Sequence, residues 1–273
     1  MNGGIKRKVN LIGEVAVGKT SLVLRFVENV FGEEYLKTVG TNVYTKEVPV
    51  TGSELKLVMY DIMGETDFQS VQDMAFEKST GAIAVADVTR QETLYNLIDD
   101  WLPKYRKASV PNAPVVLAVN KMDLEDQEIS KKEVVDDTRH YFDTIFFTSA
   151  KTGKNVEDMF KELGFRTKYR HTSPLRDPED IVTMDKNIDD PQKLISALLA
   201  YASQLGEMPY SVMEDLLEES GVDKFSLDET ISEEQALEFG DKLVKWYEKK
   251  DDVESASAVT RLLEKYEEDS QNS

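Results

Sequence analysis

The sequence contains no cysteine. That excludes disulfides, thiolate metal sites, and prenyl or palmitoyl groups attached to these residues. Histidine is almost as scarce: His140 and His171 stand alone, and they read as helix surface and linker rather than as catalysts or metal ligands. No run approaches the ~18 apolar residues of a membrane-spanning helix. The opening MNGGIKRK has no apolar leader core, and Asn2 occupies the place where N-myristoylation needs glycine. Basic residues are outnumbered, 33 against 52 acidic, for a net charge of −19. Such a charge opposes binding to polyanions, so neither nucleic acid nor an anionic membrane surface is expected as a partner. The expectation is a cytoplasmic protein without a direct lipid anchor, reaching any membrane through protein partners.

The chain of 273 residues can bury one or two cores. Its charge is unevenly placed. Residues 169–273 hold 26 acidic and 11 basic residues, a net −15, which leaves −4 for residues 1–168. The pattern changes at the same point. Before it, β-rich runs alternate with helical stretches: KVNLIG then TSLVLRFVEN, LKLVMYDI then FQSVQDMAFEK, AIAVADV then TLYNLIDDWLPKY, PVVLAVN then KKEVVDDTRHYF, TIFFTS then NVEDMFKELGF. This alternation predicts an α/β domain with parallel strands and crossover helices. After it no strand run stands out. Leu194, Leu198, Tyr201 and Leu205 share a helical face, opened by Asp190 as N-cap and Pro191 at N1. Ser232 with Gln235 forms a capping-box pattern ahead of Leu237, Leu243, Val244 and Tyr247. Val253, Ala256, Val259, Leu263 and Tyr266 make a further face. The expected division is an α/β domain over 1–168, a linker over 169–189, an acidic all-α domain over 190–267 and a frayed tail over 268–273. The runs EDLLEES and EKYEEDS read as solvated helix faces, and Met59, Met63 and Met74 as packing.

Four short motifs carry chemistry. GEVAVGKTS, Gly13 to Ser21, lies between a strand and a helix, the setting in which glycines turn backbone N–H groups onto phosphates. Within it Glu14, Val15, Ala16, Val17 and Gly18 form the loop, Lys19 reaches the β and γ phosphates, and Thr20 ligates Mg²⁺. Asn120-Lys121-Met122-Asp123 follows the strand VVLAV. The Asp123 carboxylate can accept the N1–H and amino donors of guanine, a pair that adenine lacks. Asn120 braces the loop and the Lys121 stem covers the base. Asp61 ends another strand, where it can hold a metal-bound water, and the Gly64 N–H can meet the γ phosphate. Ser149-Ala150-Lys151 follows a fourth strand, its small residues letting backbone N–H reach the guanine carbonyl. Ends of separate strands converge on one crevice in such a sheet.

Together these motifs resemble a Ras-superfamily small GTPase of the Rab-like branch, over residues 5 to about 168. Tyr35-Leu36-Lys37-Thr38-Val39-Gly40 resembles its first switch, and Asp61-Ile62-Met63-Gly64-Glu65 the start of its second. The resemblance implies a doubly wound, mostly parallel six-stranded sheet with flanking helices, GTP/GDP and Mg²⁺ as ligands, and effector, exchange-factor and activating proteins as partners. It assigns Thr20 and Thr38 to Mg²⁺, Asp61 to the metal through water, Lys19 and Gly64 to phosphates, and Asn120, Lys121, Asp123 and Ala150 to guanine. Phe31 stands where the family places an aromatic against the base. The C-terminal hundred residues lie outside the resemblance.

Two departures change the expectation. The family has Gln after the second-switch glycine, to orient the attacking water; here it is Glu65, which only accepts hydrogen bonds when ionised and brings negative charge toward the γ phosphate. Val15, beside Ala16, narrows the entry for an activating protein's arginine. Loss of one stabilising group of this kind costs roughly 10²–10³ in rate. The expected enzyme is therefore a guanine-nucleotide switch that hydrolyses GTP slowly. A nucleotide-loaded scaffold with negligible hydrolysis, acting through its helical domain, stays open beside it. So does a helical domain that folds back on the switches, its acidic face meeting the region of Lys37 and Lys46.

Overall fold

The computed structural model describes residues 5–31, 41–51, 53–62, 69–169, 187–204, 208–223 and 231–271. Thr38, Gly64 and Glu65, with the rest of Tyr35–Gly40, Met63, His171 and Leu205, lie outside the described residues. The chain divides into two compact units, one of residues 1–48 with 54–168, the other of residues 49–53 with 169–273.

The first unit is built on a six-stranded sheet in the order β2-β3-β1-β4-β5-β6. Its strands are β1 (Ile5–Ile12), β2 (Thr41–Val50), β3 (Ser53–Ile62), β4 (Gly81–Asp87), β5 (Val115–Asn120) and β6 (Thr144–Phe147). β1 pairs in parallel with β3 and β4, β4 with β5, and β5 with β6. The short connection from β2 to β3 leaves room only for an antiparallel hairpin. β4 and β5 are buried at every position, which is why they read as unbroken apolar runs. The helices are α1 (Lys19–Glu28), α2 (Gln69–Phe76), α3 (Glu92–Asn96), α4 (Leu102–Ala108), α5 (Lys131–Thr138) and α6 (Val156–Tyr169). A five-residue π turn, Leu97–Trp101, joins α3 to α4, with the Leu102 N–H donating to the Leu97 carbonyl. Pro103 explains it: proline has no N–H to return to the Asp99 carbonyl and its ring crowds that oxygen, so the helix widens just before it. The turn keeps Leu97 and Trp101 in the core with Phe76, Leu94, Tyr105 and Leu117.

Register sets the site. Leu11 pairs with Asp61, Ile12 with Ala84, Asp87 with Asn120 and Val119 with Phe147. The C-terminal ends of β1, β3, β4, β5 and β6 therefore finish side by side. The chain builds outward from β1 in both directions, so the crevice above β1 is the switch point of the sheet.

The second unit contains α7 (Pro191–Gln204), α8 (Tyr210–Glu219), α9 (Glu233–Glu248) and α10 (Val253–Gln271). The caps follow the sequence. The Lys193 N–H donates to Asp190 Oδ1 at 2.9 Å. Ser232 and Gln235 make the reciprocal box, at 3.2 and 2.9 Å. Gly221, at φ 70°, ends α8: its N–H donates to the Glu218 carbonyl and that of Val222 to Leu217, both at 3.0 Å. α9 runs against α7, α8 and α10. The buried face of α9 is Ala236, Phe239, Gly240, Leu243 and Tyr247, with Leu237 and Val244 only half buried at its flank. On α10, Ala256, Val259, Leu262 and Tyr266 are buried, whereas Val253, the first residue of the helix, is 75% exposed. Tyr201 and Tyr247 meet edge to face at 6.4 Å. The tip of the β2–β3 hairpin belongs to this unit. The Tyr169 hydroxyl donates to the Thr51 carbonyl at 2.8 Å, and the Thr51 N–H donates to the Tyr210 hydroxyl at 3.1 Å. Met59 is buried as expected, but Met74 on α2 is exposed and packs no core. Among the described residues no helix is long and apolar enough to cross a membrane.

Candidate functional site

The loop between β1 and α1 holds three residues at positive φ: Gly13 (132°), Ala16 (65°) and Gly18 (102°). Two of them have no alternative to glycine. A Cβ on Gly13 would sit 2.4 Å from the Val85 carbonyl oxygen, and one on Gly18 would sit 2.2 Å from Asn120 Nδ2. The αL turns point backbone N–H groups into a concavity. Gly18 is also the N-cap of α1, and no side chain caps that helix. Its first N–H groups and the positive end of its dipole are therefore presented to an anion.

Lys19, on the first turn of α1, is buried, and its ammonium donates to the carbonyls of Gly13 (2.8 Å) and Glu14 (2.7 Å). Burial lowers its pKa to about 8, although Asp61 and Glu14 act to raise it. A buried ammonium that leans on neutral carbonyls is poised to exchange them for phosphate oxygens. Beside it the Thr20 hydroxyl donates to Asp61 Oδ2 at 2.6 Å, and Asp61 is fully buried at the end of β3. One hydroxyl and one carboxylate form a hard-oxygen donor pair that suits Mg²⁺. Among the described residues no group of three acidic or histidine side chains could hold a metal alone. Mg²⁺ is commonly bound through one or two protein ligands with phosphates completing its shell.

The loops after β5 and β6 close the other side. Asn120 Nδ2 donates to the Val17 carbonyl at 2.9 Å, while its Oδ1 accepts from the Thr148 hydroxyl (3.3 Å) and the Ala150 N–H (3.2 Å). Asn120 thus braces three loops at once. Ser149 donates to Asp123 Oδ1 at 2.6 Å, which orients the carboxylate and leaves its other oxygen for a ligand's donors. The Ala150 N–H, expected to face a base carbonyl, is engaged by Asn120 and has to share that bond. Lys121, at φ 68°, places its ammonium 2.5 Å from Asp87 Oδ2, so only its stem is left to cover a base. Phe31 and Ser21 are half buried, and Lys151 is exposed, its main-chain carbonyl accepting from Arg25 Nη2 at 2.6 Å. Val15 is half buried and Ala16 exposed at the rim.

Three residues that motif reading passed over hold the loops in place. Arg25 of α1 donates from Nε to the Ala150 carbonyl (2.8 Å) and from Nη2 to that of Lys151 (2.6 Å). Asp87 ends β4 with its carboxylate buried. Burial alone would raise its pKa, but hydrogen bonds from Lys121 and Thr89 outweigh that and hold it below the usual carboxylate range. Arg90 contacts Asp87 and the Val15 carbonyl. The run ADVTR carried the signal, since an acid ending a buried strand calls for a cationic partner.

A family model described as Ras family matches residues 8–168. Among curated proteins, Ras-related protein Rab5 of Nicotiana tabacum is 33% identical over 189 residues, covering 68% of this chain and 92% of that protein. Ras-related protein Rab-22A of Canis lupus familiaris is 34% identical over 172 residues, 61% of this chain and 86% of its own. Ras-related protein RABC1 of Arabidopsis thaliana is 37% identical over 158 residues, 57% and 74% respectively.

Proposed function

From the premise that the chain belongs to the Ras family and is a Rab-like GTP-binding switch, we propose how its own residues do the work. Gly13–Ser21 grips the phosphates, with the Lys19 ammonium moving from the loop carbonyls onto the β and γ oxygens. Thr20 and Thr38 would hold Mg²⁺, with Asp61 reaching it through water. The ion supplies charge neutralisation at the phosphates when bound. Asp123 selects guanine by accepting its paired donors, and Asn120, Lys121, Ser149, Ala150 and Lys151 form the wall around the base, with Phe31 against its face. Thr38 and Gly64 meet the γ phosphate, so its loss releases both switch segments. The observation that carries this reading is the meeting of the Lys19–Thr20–Asp61 cluster with the Asn120 brace in one crevice.

The finer claim is rate. Hydrolysis proceeds by in-line attack of water, catalysed by positioning and charge neutralisation. Glu65 accepts but does not donate, and it adds charge of the wrong sign, so the GTP-bound state is long-lived. Partners are an effector, an exchange factor and an activating protein. Any membrane association is proposed to run through such protein partners.

Single-turnover hydrolysis of Mg²⁺-GTP by the full chain, beside Glu65→Gln, tests the claim. The expected result is a faster Gln variant, by about 10²-fold if Glu65 costs one well-placed group. A wild type that turns over as fast as the variant overturns the role of Glu65. A protein that retains neither GTP nor GDP overturns the site itself.

A further inference from the structure

The loop between β1 and α1 carries a conformation that its sequence does not favour. Ala16 sits at φ 65°, a region that L residues other than glycine disfavour by roughly tenfold or more. Ties flank it on both sides. The Val17 carbonyl is held by Asn120 at 2.9 Å. The Val15 carbonyl is held by Arg90 Nη2, also at 2.9 Å. Arg90 is itself anchored, with Nε 3.2 Å from Asp87 Oδ2. The same oxygen receives the Lys121 ammonium at 2.5 Å, and the Thr89 backbone and hydroxyl fill Asp87 Oδ1 at 3.0 and 2.7 Å. The carboxylate is thus fixed from both sides, on a buried side chain, and it fixes Arg90 in turn. Lys121 stands in the loop assigned to the base, and Val15 in the loop assigned to the phosphates.

We propose that Arg90 is a positioning residue that, through the chain Lys121–Asp87–Arg90–Val15, holds the phosphate loop in its strained, ligand-ready form and ties it to the base-reading loop. The inference rests on the guanine-nucleotide reading above. Arg90 itself touches neither loop's ligand in this scheme. Its guanidinium suits the task because its rigid fork spreads the donors over separate nitrogens, Nε for the Asp87 carboxylate and Nη2 for the Val15 carbonyl, whereas the donors of an ammonium all radiate from one nitrogen. Without Arg90 the loop keeps its ties at the Gly13, Glu14 and Val17 carbonyls but loses the one on the 15–16 peptide itself, which can then relax by flipping.

The experiment measures the release rate of a fluorescent GDP from the full chain in Mg²⁺, as a double-mutant cycle between positions 90 and 16. Arg90→Ala is expected to speed release by about tenfold, the loss of one charge-assisted hydrogen bond at a partly exposed site. Measured in the Ala16→Gly background, the same Arg90→Ala change is expected to cost no more than about twofold, because glycine adopts this backbone without being held. Arg90→Lys, which can reach Asp87 or Val15 but not both, falls between. An Arg90→Ala penalty that is equal in the two backgrounds makes Arg90 a general support of the fold and overturns the proposal. So does an Arg90→Ala release rate within twofold of wild type. A wild type that binds no GDP at all instead sinks the nucleotide reading, which separates the two failures.

Discussion

Lys19 is the residue on which pH should act. Its ordinary value of 10.5 falls to about 8 in the nucleotide-free fold, because burial disfavours the ammonium. Between these values the unfolded chain holds a proton that the folded chain has released. Stability of the nucleotide-free protein therefore rises as pH climbs from about 8 to 10.5. Binding runs the other way. Phosphates restore the ammonium, so nucleotide binding takes up a proton above pH 8 and weakens there by up to about tenfold per pH unit. Calorimetry of GDP binding at pH 9 in two buffers of different ionisation enthalpy should show that uptake; identical heats would contradict it. Gly18→Ala is expected to cost about 2 kcal/mol in chemical denaturation, since the new Cβ meets Asn120 in a backbone region that alanine disfavours. At this scale the sequence was legible where chemistry repeats a pattern: the glycines, Lys19, Thr20, Asn120 and Asp123. It was not legible where a side chain acts on a backbone carbonyl. Nothing in the local sequence says that Arg25 ends at Ala150 and Lys151, because those partners lie more than a hundred residues away and are brought near only by the sheet.

α6 carries an unusual burden for a helix near the end of its domain. Glu162 and Arg166 form an i,i+4 pair at 2.6 Å with side chains at most 1% exposed, and the Thr144 hydroxyl donates to the same Glu162 oxygen at 3.1 Å. Removing one charge takes from the other its ion-pair partner at a buried site. Arg166→Ala should therefore destabilise by about 3–5 kcal/mol, while a paired change of both residues to leucine and methionine should be close to neutral. Urea denaturation of the single and double variants decides it. Gly240 makes a comparable point about α9. A Cβ there would approach Leu263 Cδ2 of α10 to 2.4 Å. The alanine's gain in helix propensity, about 1 kcal/mol, should be outweighed by forcing the packed Leu263 side chain aside, so Gly240→Ala is expected to lower the melting temperature. The elements most legible in the sequence are those with one strong rule. β4 and β5 are apolar throughout because both faces are covered, and α7 and α9 announce themselves by caps. β2 escaped the run-by-run reading because it is half exposed and interrupted by Pro49, so its pattern resembles a loop. α8 passed as an acidic surface, since its buried side holds only Tyr210, Met213 and Leu217. The π turn follows from Pro103, but only once the helix is known to continue past it.

At the scale of the molecule, the second unit is discontinuous in sequence: residues 49–53 belong with 169–273. Thr51 is buried and its main chain is held by two tyrosine hydroxyls. Burial pushes the Tyr210 hydroxyl up to about 12, so it stays protonated across the working range of the protein. Tyr210→Phe leaves the Thr51 N–H without that acceptor and should cost about 1–3 kcal/mol. Hydrogen exchange at the Thr51 amide should speed up in step, and unchanged protection would show that the hydroxyl is dispensable.

This discontinuity also has a timetable. Thr51 and Tyr210 are separated by 159 positions. At a synthesis rate of about 5–20 residues per second, the hairpin tip waits roughly 8–30 s on the ribosome for its partner. Every residue proposed to hold the nucleotide, from Gly13 to Lys151, has been made before Tyr210 is. The chain can therefore load its ligand first and close its second unit around the tip afterwards, so that the newborn protein is a filled switch before it is a finished molecule.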